Sequence, residues 1–130
     1  MILTITANPA IDKVYLVDEF VMGNVYRPKN LTATAGGKGL NVSRVASILN
    51  EEVTAMGFIG GSNGNFIKKE ITKLGINANF TDVSGETRTC INITDNLGRS
   101  GELLEEGPTV TDTEKNNFFS GGVLMKKLGF

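Results

Sequence analysis

The sequence predicts an α/β fold: a parallel sheet with crossover helices, plus a small antiparallel element. Three observations carry this reading. Short β-branched runs alternate with segments of helical period over the first half of the chain. Seven of the 16 glycines crowd into residues 36–64, where strands would turn into helices. Beyond residue 86 the pattern changes to a period of two on either side of a single turn.

The elements follow in order. Met1 to Thr6 alternates β-branched and apolar residues as a buried strand does, and ends before Asn8-Pro9. Val14 to Val17 is a second short strand; Gly23 and Pro28 punctuate the next segment, and Leu31 to Ala35 leads as a strand into Gly36-Gly37-Lys38-Gly39. Val42, Val45, Ala46 and Leu49 then stand at i, i+3, i+4 and i+7, the core face of a helix that Asn50 can end in the left-handed conformation. Val53 to Ile59 reads as a strand, Gly60 to Gly64 as a turn, and Phe66, Ile67, Glu70, Ile71 and Leu74 as a second helix closed by Gly75. Asn77-Ala78-Asn79 is read as a loop. From Thr87 to Thr94, Ile91 and Ile93 share one face and Cys90 and Asn92 the other. Asp95-Asn96-Leu97-Gly98 turns the chain, and Glu102 to Glu105 returns as the partner strand.

Composition narrows the function. Of 130 residues, 13 are basic and 14 acidic, so the net charge of −1 does not suit a protein that coats nucleic acid. There is no Trp to build a base-stacking platform, and no apolar run long enough to span a bilayer. With no His and one Cys, a His/Cys metal cluster and a Ser-His-Asp or Cys-His dyad are out of reach. The lone Cys90 and an opening without the marks of a secretion signal point to the cytoplasm. Chemistry must then rest on carboxylates, Lys, Arg, hydroxyls and backbone amides.

Four features carry candidate chemistry. Ala35 to Ser43 feeds a glycine-rich loop into a helix N-terminus, where free amides favour an anion or a polyol oxygen and Lys38 adds a charge. It is not a P-loop, since Thr32 and Gly39 occupy that motif's Gly and Ser/Thr positions. A plain tight turn with an incidental Lys is the other reading. Gly57 to Gly64 also links strand to helix, and a packing turn accounts for it better than a dinucleotide fingerprint: the segment near Asp82 follows a loop. Asp12 stands at the C-terminal end of the first strand, where ligands gather in open α/β sheets and a carboxylate can accept from a vicinal diol; a turn-forming or capping Asp is the alternative. Arg88 and Arg27 fit either a phosphate or a surface ion pair, and Cys90 is read as a half-buried strand residue without reactivity.

Together these residues resemble the N-terminal part of the PfkB (ribokinase-like) carbohydrate kinases, in the branch of 1-phosphofructokinases and tagatose-6-phosphate kinases. The similarity lies in Leu3 to Asp12, in Gly36-Gly37-Lys38-Gly39-Leu40-Asn41-Val42-Ser43, in Phe58 to Gly61, in Gly85 to Ile91 and in Glu106-Gly107-Pro108. It runs from Met1 to about Phe118, leaving 119–130 as a tail outside the pattern. The resemblance implies a ribokinase-like fold and phosphorylation of a ketohexose phosphate by ATP with Mg2+, fructose 1-phosphate giving the 1,6-bisphosphate. A tagatose-6-phosphate kinase, or a non-catalytic sugar-phosphate-binding or oligomerisation remnant, is the alternative. It further implies that Asp12 and Asn41 bind sugar hydroxyls, that the Gly36-Gly37 backbone lies against the sugar, and that Lys38 and Arg88 meet the substrate phosphate, with Arg27 a further candidate. Strands around 14–17, 25–34 and 87–105 would form the family's β lid, which covers the sugar and in several members makes a dimer contact.

Three departures stand out. Asn50 replaces a small residue, and Glu106 stands where relatives often carry Pro or Gln. The third is length: family members run to roughly twice this size. The Gly-Ala-Gly-Asp type loop that supplies their catalytic base and anion hole has no match here, since Ser120-Gly121-Gly122-Val123 lacks the acidic residue. No catalytic, metal or nucleotide-binding residue is therefore assigned to this chain. The expectation is a chain without turnover of its own and with an exposed sheet edge and apolar face.

Overall fold

The computed structural model describes residues 1–120. Ten elements succeed one another: β1 (Ile2–Thr6), β2 (Ala10–Val17), β3 (Asn30–Gly36), α1 (Lys38–Ile48), β4 (Val53–Ile59), α2 (Gly61–Lys73), β5 (Asn77–Asp82), β6 (Arg88–Asp95), β7 (Ser100–Leu104) and α3 (Asp112–Ser120). They form two sheets. The first is three-stranded and parallel, in the order β1-β4-β5; the second has the order β3-β2-β6-β7.

In the parallel sheet, β1, β4 and the crossover helices α1 and α2 are those the sequence predicts. Val53, Ala55 and Ile59 of β4 meet Leu40 and Ala46 of α1 and Ile67 and Ile71 of α2 in one buried core. Asn50 ends α1 at φ 62, and Gly75 follows α2 at φ 74, both in the left-handed region. Gly57 permits close contact between strands, because a Cβ there would run into the backbone carbonyl of Thr6.

Three expectations are corrected. Residues 77–79 belong to β5 and pair with β4: Ala78 and Phe80 pack on the core, while Asn77 donates its side-chain amide to Thr54 Oγ1 at 3.3 Å. Polar residues on the alternate face hid a strand. The second strand begins at Ala10 rather than Val14, so Asp12 lies within it and in the second sheet, not at the end of β1. Residues 21–29 form no strand; Pro28 lacks the ladder donor, and the Tyr26 hydroxyl folds this loop back by accepting from the Val21 N–H at 2.7 Å.

The helix α1 also presents a different face from the one expected. Leu40, Ser43 and Ala46 are buried, whereas Val42, Val45 and Leu49 are exposed at 55%, 59% and 68%. Helical period identifies an apolar stripe without saying which stripe meets the sheet. Here the orientation is fixed by a buried polar link: Ser43 Oγ donates to Gly39 O at 3.0 Å, so Thr4 Oγ1 donates to Ser43 Oγ at 2.6 Å.

The second sheet is mixed. β2 pairs antiparallel with β3 and parallel with β6, and β6 turns antiparallel into β7. That hairpin is the one read from the sequence. Its tip is held by Asp95, whose side chain is fully buried and takes the Arg99 guanidinium at 2.7 Å together with the N–H groups of Phe20, Leu97 and Arg99. The expected tail begins inside α3, whose Phe118 packs on Phe58 with ring centroids 4.9 Å apart. Residues 121–130, including most of the Ser120-Gly121-Gly122-Val123 string, lie outside the described residues.

Candidate functional site

Where the two sheets meet, a cavity of about 400 Å³ opens over the N-terminus of α1. The strand register explains its floor. Asp12 pairs with Cys90, which pairs with Leu104; Val14 pairs with Asn92, which pairs with Glu102. Paired residues point to the same side of a sheet, so these side chains share one face with Ala10 and its partner Arg88. Gly37, Lys38 and Asn41 close the cavity from the helix side.

The first glycine turn is shaped for close approach. A Cβ at Gly36 would strike the Asp12 carboxylate, and Gly37 has φ 120 with a Cβ position 2.6 Å from Thr6 Cγ2. Gly37 caps α1 without any side-chain hydrogen bond, and no acidic residue sits in the first turn. The helix therefore presents unpaired amides and the positive end of its dipole beside the Lys38 ammonium. Asn41 accepts from Arg44 through its carbonyl oxygen, which leaves its amide donors available to the cavity.

Arg88 is engaged on two sides. Its Nη1 donates to Glu105 O at 3.2 Å and its Nη2 to Asn8 O at 3.1 Å, tying together the segments that enter and leave the second sheet. Its Nε is buried with no partner, as is Thr6 Oγ1 below the glycine turn. A guanidinium carries five N–H donors, so the staple leaves others for an anion. Burial pushes the Asp12 carboxyl up from its ordinary range, against the pull of Arg44 and Arg88 and with a further push from Glu102. Burial likewise raises the Cys90 thiol. An ionised Asp12 in this setting gains from any hydroxyl donors that replace lost water.

The second glycine turn, ahead of α2, is filled from within. Glu86 accepts from Asn63 N at 2.6 Å, Ser62 N at 3.3 Å and Ser62 Oγ at 3.2 Å, and these donors hold its carboxyl below the ordinary range. Thr87 completes the seal: its Oγ1 accepts from Gly60 N at 2.9 Å and its N–H donates to Gly60 O at 3.0 Å. The packing-turn reading thus rests on a ground other than the one expected. Asp82 does end a strand, but the helix terminus already holds a carboxylate.

The cavity brings Asp12, Gly37, Lys38, Asn41 and Arg88 together, with Gly36 against Asp12. Arg27 is elsewhere. It lines a separate cavity of about 340 Å³ with Leu16, Lys29 and Asn96. Leu16 is four residues along β2 from Asp12, roughly 13 Å at about 3.3 Å per residue. Asn92 and Glu102, which no sequence motif marks, also line the cavity, and Asn92 Nδ2 donates to Glu102 Oε1 at 3.3 Å. The alternation that put Cys90 and Asn92 on one face was the available signal; the pairing of β6 with β2 was not readable from it.

A glycine-built helix terminus, two cations and a carboxylate thus face one cavity beside the second sheet. The model of the pfkB family carbohydrate kinases matches residues 5–115, and the chain belongs to that family. It is 45% identical over 120 residues to a tagatose-6-phosphate kinase of Staphylococcus epidermidis, a match that covers 92% of this chain and 38% of the relative. A Thermotoga maritima structure described as a possible 1-phosphofructokinase superposes with a TM-score of 0.86 at 36% identity, over 92% of this chain and 39% of the other. The Escherichia coli phosphofructokinase-2 in complex with fructose-6-phosphate, at 18% identity and a TM-score of 0.86, shares the fold over 95% of this chain and 41% of its own. The fold is ribokinase-like, and the chain spans less than half the length of the relatives it matches.

Proposed function

We propose that this chain forms the sugar-phosphate-binding half of a kinase that phosphorylates a ketohexose phosphate. The observation that carries it is the convergence of Asp12, Lys38, Asn41 and Arg88 on the cavity over α1. In this reading the Asp12 carboxylate accepts from two sugar hydroxyls, Asn41 donates to another oxygen, and the Gly36-Gly37 backbone lies against the ring. Lys38, Arg88 and the free amides of α1 hold the phosphate already on the substrate. The second sheet covers the sugar as a lid and limits water at the hydroxyl to be phosphorylated.

ATP with Mg2+ supplies the transferred phosphoryl group in this family. In the second glycine turn Glu86 already occupies the helix terminus, so that turn offers no free amide cradle for a nucleotide phosphate. The chain's own residues bind and orient the sugar phosphate; proton removal and the anion hole lie outside them. Fructose 1-phosphate is the first substrate candidate on overall sequence likeness, and the tagatose-6-phosphate kinase relative supports tagatose 6-phosphate as the second reading. A cytoplasmic setting accompanies both; among the described residues no helix is long and apolar enough to cross a membrane. Self-association through the face of the second sheet opposite the cavity fits Leu31 and Leu103, which it leaves exposed at 52% and 65%, and analytical ultracentrifugation measures it.

The test is calorimetric titration with fructose 1-phosphate, tagatose 6-phosphate and fructose 6-phosphate, beside an assay of ADP release. Saturable binding of a ketohexose phosphate without turnover is expected. Absence of binding to all three contradicts the site assignment, and steady turnover of ATP contradicts the division of labour.

A further inference from the structure

Asn8 stands where the chain passes from one sheet to the other. Three segments cross there: Asn8-Pro9 enters the second sheet, Gly85 to Thr87 leads into β6, and Glu105 to Pro108 leaves β7. They approach closely, since a Cβ at Gly85 would lie 2.6 Å from Pro108 Cβ and one at Gly107 would strike Asn8 Oδ1. Arg88 spans the crossing on carbonyls of two different segments, Glu105 O on Nη1 and Asn8 O on Nη2. The separation of those carbonyls therefore sets the orientation of the planar guanidinium. From the β6 side, Glu105 is held by Thr89, whose N–H donates to Glu105 Oε2 at 2.7 Å. Asn8 holds the same segment from the other side. Its Nδ2 donates to Glu106 O at 2.7 Å, one peptide beyond the carbonyl that Arg88 takes. Gly107, at φ 95 and without a Cβ, leaves room for that side chain. One residue thus provides one anchor of the guanidinium from its backbone and fixes the other through its amide.

We propose that Asn8 is the positioning residue for Arg88, holding its guanidinium in the orientation that keeps the remaining N–H donors for a phosphate-class anion in the cavity. Each Nη keeps a second N–H beyond the one given to a carbonyl, and Nε is buried without a partner. A fork already fixed on two carbonyls loses less freedom when an anion arrives than a free arginine does. Asn8 is not among the residues that line the cavity, so it acts through Arg88. The inference rests on the proposed sugar-phosphate site for the identity of the anion, and not for the geometry of Arg88.

The test has two parts, both on the whole chain. The first needs no ligand: hydrogen exchange of the arginine Nε–H groups, followed by NMR. Asn8→Ala should speed exchange at Arg88 Nε at least about tenfold. It should leave Arg99 Nε unchanged, which is held on Asp95 Oδ2 at 2.9 Å in the hairpin tip. Asn8 is exposed, so the variant should keep its fold, and the Arg99 signal checks that it does. The second part is a double-mutant cycle read by calorimetry with fructose 1-phosphate. Asn8→Ala should weaken binding about fivefold in the unaltered chain. In Arg88→Lys, whose ammonium cannot span the two carbonyls, the same change should weaken it less than about twofold. Unchanged exchange at Arg88, or faster exchange at both arginines, would overturn the proposal. So would an equal loss of affinity in both backgrounds, the result that a purely structural role of Asn8 gives. Faster exchange at Arg88 alone, with no sugar-phosphate binding by the unaltered chain, supports the positioning and counts against the proposed function.

Discussion

The molecule contains two glycine-rich turns from strand to helix, and they end in opposite states. Ahead of α1, Gly36 and Gly37 leave a helix terminus with no side-chain cap, open to a cavity that Lys38 and Arg88 line. Ahead of α2, Gly60 and Gly61 leave a terminus occupied by Glu86 and sealed by Thr87. Both turns are rich in glycine, and both point amides at a carboxylate or at the place for one. What separates them is the segment that packs against each. At α2 the connection from β5 to β6 delivers an internal anion; at α1 the earlier strand β2 places Asp12 beside Gly36 and leaves the amides free. A glycine turn stays open to a ligand when the fold does not fill it.

The largest expected effect breaks the filled turn. A Cβ at Gly60 would meet the carbonyl oxygens of Val83 and Gly85, backbone that cannot move aside. Gly60→Ala should cost about 3 kcal/mol and show in urea denaturation as loss of most of the cooperative transition. The matching change in the open turn acts differently. At Gly36 the obstacle is the Asp12 side chain, which can swing away. Gly36→Ala should keep the fold within about 1 kcal/mol and weaken sugar-phosphate binding at least about tenfold by calorimetry.

These two glycines also show how much the sequence made legible. The open turn was visible in Ala35 to Ser43, and the parallel core and the hairpin at 95–98 were visible as periodicities. Three things were not. Period alone could not orient α1, because Thr4 and Ser43 set its roll through a contact 39 residues apart in sequence. β5 was masked by asparagines that face away from the core. Asn92 and Glu102 reach the cavity only because β6 pairs in parallel with β2, a non-local register that no short segment encodes.

Smaller effects sharpen the contrast through charge. Glu86→Ala should lower the melting temperature by a few degrees and change sugar-phosphate affinity less than about threefold, because the carboxylate caps α2 and does not touch the cavity. Its carboxyl lies below the ordinary 4.5, held there first by the Asn63 N–H, so the stability it contributes is present above that value and is lost on acidification below it. Asp95, lowered to about 2 chiefly by Arg99, behaves alike at the hairpin tip: its contribution is present above the ordinary 3.8 and fades as pH falls towards 2. Circular dichroism melts between pH 5 and about pH 2 read both. Asp12 has the opposite sign. Its raised carboxyl means that ionisation opposes folding, so stability from this group is greatest below the ordinary 3.8 and falls as pH rises through the shifted value. Asp12→Asn should therefore melt slightly higher than the unaltered chain at neutral pH.

That substitution also gives the most direct measurement of the central claim, that the open turn reads a sugar through Asp12 and a phosphate through Lys38 and Arg88. Calorimetry on the unaltered chain and on Asp12→Asn, each with fructose 1-phosphate and with inorganic phosphate, separates the two contributions. The unaltered chain should bind the sugar phosphate more tightly than phosphate alone, and Asp12→Asn should shrink that preference about tenfold. Equal affinities in the unaltered chain, or a preference undiminished in Asp12→Asn, would contradict it.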